Sequence, residues 1–81
     1  MSEISRLRWL CRRGMKELDV VMTGYLDNYY RDAVEADQQS FKILLEMPDP
    51  DLFALLVGRD STDDANLVSL LITLRKLVSN R

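Results

Sequence analysis

The sequence has no histidine, one cysteine, three glycines and two prolines among its 81 residues. Without histidine the chain lacks the commonest general base and a principal metal ligand. A lone Cys11 forms no internal disulfide, and with no second cysteine or histidine it completes no zinc site. No glycine-rich run is present to cradle a phosphate. No apolar run approaches the roughly 20 residues that a membrane-spanning helix needs. The first residues mix charges with apolar positions where a signal peptide would have an unbroken apolar stretch, so the expected address is the cytoplasm.

What remains is apolar and charged. Hydrophobic residues make up 47% of the chain and charged residues 30%, the balance of one folded domain spanning 1–81 rather than of a disordered segment. The net charge of −2 conceals an uneven distribution. Residues 1–16 hold five cations against one acid, a net of +4, whereas residues 17–81 hold six cations against twelve acids, a net of −6. The acidic remainder argues against a nucleic-acid partner, and no membrane insertion is expected.

Apolar residues recur at helical spacing almost throughout, with no sustained alternation of period two, so the chain is expected to be all-α, a compact bundle of five helices. The first is expected at about 3–13, with Ile4, Leu7 and Cys11 inward, Arg6, Trp9 and Arg13 as a separate stripe, and Gly14 ending or bending it. The second, about 15–30, carries the stripe Met15, Leu18, Met22, Tyr25 and Tyr29. Gly24 within it costs about 1 kcal/mol relative to alanine, which close packing of another helix would offset. The third is expected at about 37–47 with Asp37 as N-cap and Phe41, Leu44 and Leu45 inward. Asp49 then caps a short fourth helix at 51–57 that starts on Pro50 and stops at Gly58. A fifth, about 64–79, turns Leu67, Leu70, Leu71, Leu74, Leu77 and Val78 inward.

Few residues carry candidate chemistry. Glu17 and Asp19 lie two apart on a helix and point about 200° away from each other, so they do not share a catalytic site. Catalysis by this chain is not expected. Cys11 reads either as a redox thiol activated by Arg8, Arg12 and Arg13 or as a buried member of the Ile4–Leu7 stripe, and the second is the expectation. Trp9 between arginines fits a protein-binding hot spot, where an aromatic ring and planar cations fill a desolvated pocket, but spacing alone fits a cap on the core equally well. Gly14 reads either as the positive-φ residue of a turn or as a flat spot where a second backbone approaches, flanked by Arg13, Lys16 and Glu17.

Trp9, Cys11, Arg12, Arg13, Gly14, Met15, Glu17, Leu18 and Asp19, followed by "LLEMPDPDLF" at 44–53, closely resemble the SdhE family, the FAD assembly factors of succinate dehydrogenase. The similarity covers nearly the whole chain. The resemblance implies a five-helix fold that promotes covalent attachment of FAD to the flavoprotein subunits of succinate dehydrogenase and the related fumarate reductase. It places the family motif on Arg13, Gly14 and Glu17, with Arg8, Trp9, Arg12, Met15 and Lys16 beside them as partner-binding residues. Lys16 stands where an arginine is common in the family. Flavin attachment is generally to a histidine, so the bond is expected to form on the client, with no FAD or metal held stably here and the protein acting as a monomer. An antitoxin-like binding module and a free-FAD carrier are the alternatives.

Overall fold

Each apolar stripe lies on one side of its segment, so a helix that forms must bury that side against another. The structure, a computed structural model, describes residues 2–79. Among these residues the chain forms five α-helices: α1 (Glu3–Leu10), α2 (Lys16–Asn28), α3 (Glu35–Leu45), α4 (Asp49–Val57) and α5 (Ala65–Ser79). A single 3-10 turn, Tyr30–Asp32, joins α2 to α3. α5 is the hub, packing against α2, α3 and α4, while α1 lies across α2 and α3. The Cα radius of gyration is 11.6 Å, the value of about 12 Å expected for a compact domain of this length.

The expected inner faces are nearly all buried. Leu7, Cys11, Leu18, Met22, Tyr25, Phe41, Leu44, Leu45, Leu67, Leu70, Leu71 and Leu74 belong to one continuous core, with Ile4, Met15 and Leu77 packed on its margin. Two residues depart from it. Tyr29 is exposed and stacks on Tyr25, and Val78 is exposed at a surface groove that it lines together with α4 residues.

Helix boundaries differ where tertiary bonds outcompete local signals. α1 stops at Leu10, with Cys11 as its C-cap, because the chain must turn before Arg13 can reach α3. Gly14 therefore does not end α1. α2 ends at Asn28, and the following 3-10 turn swings Tyr30 into the core. There its hydroxyl donates to Glu3 at 2.7 Å. α3 begins on Glu35 after Val34, so Asp37 is in its first turn rather than at its cap, still close to the positive helix end. α4 starts at Asp49 with Pro48 before it, and the Asp49 carboxylate does not cap its own helix. Asp64 does cap α5, accepting from the backbone N–H of Asn66 at 2.9 Å and of Leu67 at 3.2 Å.

Gly58 ends α4 in the left-handed region at φ 85°, a conformation that costs any L side chain about 1–2 kcal/mol. Gly24 is different. A Cβ built there meets nothing within 4 Å, so no neighbouring helix packs into it. Opposite outcomes are expected from the same substitution. Gly58→Ala should lower unfolding stability by about 1 kcal/mol, and Gly24→Ala should raise it by about 0.5–1 kcal/mol, both read from urea denaturation midpoints.

Candidate functional site

The segment between α1 and α2 is held by one arginine. Arg13 turns inward, its side chain only 11% exposed. Its guanidinium donates to the carbonyls of Leu45 and of Met47, the latter at 2.9 Å, and pairs with Asp49 Oδ1 at 3.3 Å. These carbonyls end α3, where the helix dipole is negative and backbone acceptors lack intrahelical partners. Asp49 opens α4, where a carboxylate is favoured. One planar cation thus joins the end of one helix to the start of the next, a geometry a lysine could not reproduce.

The backbone is pinned as firmly. The Arg13 N–H donates to Asp19 Oδ1, and the Gly14 N–H donates to Asp49 Oδ2 at 3.1 Å. Asp19 lies in the first turn of α2, so a second acid completes the lock. Arg13, expected among the partner-binding residues, is therefore corrected: its side chain is committed inside the molecule and does not share an exposed stripe with Arg6 and Trp9.

Around this lock the remaining candidates face outward. Trp9 is 68% exposed and does not cap the core. Arg8, on its flank, pairs with Asp27 of α2 at 2.7 Å. Arg6, Arg12 and Lys16 are exposed and make no ion pair among the described residues. Gly14 is exposed, has no positive φ, and an added Cβ would sit 3.6 Å from Asp49 Oδ2, an ordinary contact. Nothing within the fold demands glycine there. Met15 is half-buried against the core, holding the segment down, and Glu17 is exposed.

Glu17 also borders a groove that sequence reasoning missed. It has a volume of about 440 Å³ and is lined by Phe53, Leu56, Val57 and Val78, with Glu17 and Arg75 as its charged members. Arg75 is itself a clamp, donating to the carbonyls of Leu56 at 3.0 Å and Leu55 at 2.7 Å near the end of α4. The exposed valines at 57 and 78 fall on two different helices. No single periodicity could bring them together.

Cys11 is fully buried, and burial pushes its thiol up to about 11 against the opposing pull of Arg13 and Arg8. A thiol in that state is not a reactive nucleophile.

Residues 5–78 match the family described as "Flavinator of succinate dehydrogenase". The chain belongs to this family. The FAD assembly factor SdhE of Shewanella oneidensis is 41% identical to it over 75 residues, covering 93% of this chain and 92% of the relative. That of Methylococcus capsulatus is 42% identical over 78 residues, 96% of this chain and 94% of the relative. That of Aliivibrio fischeri is 47% identical over 62 residues, 76% and 72% of the two chains. The family match spans the Arg13 lock, the exposed residues around it and the Glu17 groove.

Replacing Arg13 strands Asp49 and two carbonyls without their donor. Arg13→Ala should lower unfolding stability by about 3 kcal/mol, with Arg13→Lys recovering only part of it, as chemical denaturation will read. A pH dependence follows from three buried groups. Burial raises Cys11 from 9.0 to about 11; burial, then Asp37 and Tyr30, raises Tyr25 from 10.0 to about 12, and burial, then Glu3, raises Tyr30 from 10.0 to about 12. Their contribution is fully present below the ordinary values. Above them the unfolded chain loses protons first, so stability should fall as pH rises from about 9 toward 12, seen as lower urea midpoints.

Proposed function

We propose that this protein binds the flavoprotein subunit of succinate dehydrogenase, and that of the related fumarate reductase, and holds it in the conformation in which FAD becomes covalently attached. The observation that carries this reading is the exposed Trp9 together with Arg6, Arg12 and Lys16, exposed and without an ion pair among the described residues, on a backbone that Arg13 fixes from beneath. A large aromatic ring on a rigid base loses little conformational freedom on docking, and it is the type of residue that dominates binding energy at protein interfaces. Gly14 fits the same reading, since a glycine that the fold itself does not require leaves room for a partner's backbone. The groove beside Glu17 extends the surface with apolar area.

The protein's part is positioning, which can supply several kcal/mol to a reaction between groups already present on the client. The chain offers no histidine as the attachment residue, so the bond forms on the client, and this protein is neither the catalyst nor a stable holder of FAD. It works as a monomer in the cytoplasm, where an unflavinylated client is met.

The test mixes the protein with FAD and the unflavinylated flavoprotein subunit and follows covalent flavin fluorescence on a denaturing gel. Trp9→Ala, Glu17→Ala and Gly14→Glu should each keep the helical circular dichroism spectrum while weakening client binding by about tenfold or more. Normal yield from all three folded variants would overturn the reading.

A further inference from the structure

The groove between α4 and α5 begins one helical turn from the Arg13 lock. Asp49 accepts from the Gly14 N–H at 3.1 Å, and Phe53, four residues on, lies on the same side of α4 about 6 Å along its axis. From the Gly14 end of that bond the chain runs three residues to Glu17, in the first turn of α2. Phe53 and Glu17 both line the groove. A polypeptide laid across the exposed Gly14 thus reaches it within about two or three residues of extended chain.

The walls are preformed. Arg75 ties α5 to the end of α4 through the carbonyls of Leu56 at 3.0 Å and Leu55 at 2.7 Å, and Gly58 ends α4 directly after Val57. Val57 is 48% exposed and Val78 38%, on two helices that line the same groove. Apolar area left open on fixed walls can be removed from water by a partner's apolar side chain with little ordering cost on this side.

Charge says what accompanies that side chain. The two cations nearby are engaged, Arg75 with the α4 carbonyls and Arg59 over the Phe53 ring, 5.9 Å from its centroid. Glu17 is exposed and takes part in no ion pair among the described residues. That unmatched acid, on a chain whose residues 17–81 hold six cations against twelve acids, is complementary to a cation.

Resting on the docking reading above, we propose that the groove receives the part of the client flavoprotein that crosses Gly14: a branched or aromatic apolar side chain sits between Val57 and Val78, and a lysine or arginine beside it pairs with Glu17.

Cysteine footprinting of the full chain tests this, because Cys11, the one cysteine of the sequence, is fully buried. Val57→Cys is compared with Val34→Cys, a position 66% exposed at the opposite end of α3 from the Leu45 carbonyl that Arg13 holds. Each is alkylated with N-ethylmaleimide, with and without a saturating concentration of the unflavinylated flavoprotein subunit, and the rate is read by mass spectrometry. The client should slow Val57→Cys by at least about tenfold and Val34→Cys by less than about twofold. Val57→Ser should weaken client binding by about fivefold. Glu17→Gln should weaken it by about threefold at low salt, with the difference shrinking as ionic strength rises. If Trp9→Ala weakens binding while Val57→Cys stays unprotected or Val57→Ser binds normally, the groove proposal fails and the docking surface stands. If Trp9→Ala, Gly14→Glu and Glu17→Ala all bind and work normally, the docking reading fails and takes the groove with it. Protection of Val57→Cys at high protein concentration without client would give the groove to a second copy of the chain, and unchanged or tighter binding by Glu17→Gln would rule out the cation; either overturns the proposal.

Discussion

The guanidinium of Arg13 is the point on which the architecture of this molecule turns. The end of one helix and the start of another expose backbone groups that no intrahelical partner can satisfy, and here the two ends lie next to each other across Met47 and Pro48. A single planar cation reaches the carbonyls of α3 and the acid that opens α4. Asp49 returns the second half of the bond by accepting from Gly14. The chain between α1 and α2 is thereby sewn to the α3–α4 corner, over 30 residues away in sequence.

That internal lock explains the division of labour within the motif. Arg13 and Asp19 face inward and shape the segment, whereas Trp9, Arg12, Gly14, Lys16 and Glu17 are left outside on a backbone that cannot easily move. A docking surface gains from such a base, because little conformational freedom remains to be lost when a partner arrives. Residues that look alike in a sequence motif thus act in different ways. Arg13 holds the segment in place, and under the proposed docking its exposed neighbours are the residues left to touch a partner.

Arg75 repeats the device at the end of α4, where it meets the carbonyls of Leu55 and Leu56. Two arginines therefore close two successive helices of a chain with few residues to spend on a core. Their aliphatic stems pack while their charges answer the negative helix ends. Beside this clamp lies a groove bordered by Glu17 and Arg75 and lined by the apolar side chains of Phe53, Leu56, Val57 and Val78.

Helical periodicity and turn residues were enough to determine the all-α fold, four of the five inner faces almost completely, the stop at Gly58 and the approximate start of α5, because these depend on neighbours within a turn or two. The motif residues were legible too, as a cluster of cations around Trp9 and Gly14 resembling a known family. The orientation of Arg13 was not, since its partners lie 32 to 36 residues away and exist only once α3 and α4 have met. The same reason hid the early end of α1, the true role of Asp49 and the groove between Val57 and Val78. Local spacing decides which face of a helix is apolar; only the packed chain decides which helix end a long side chain can reach.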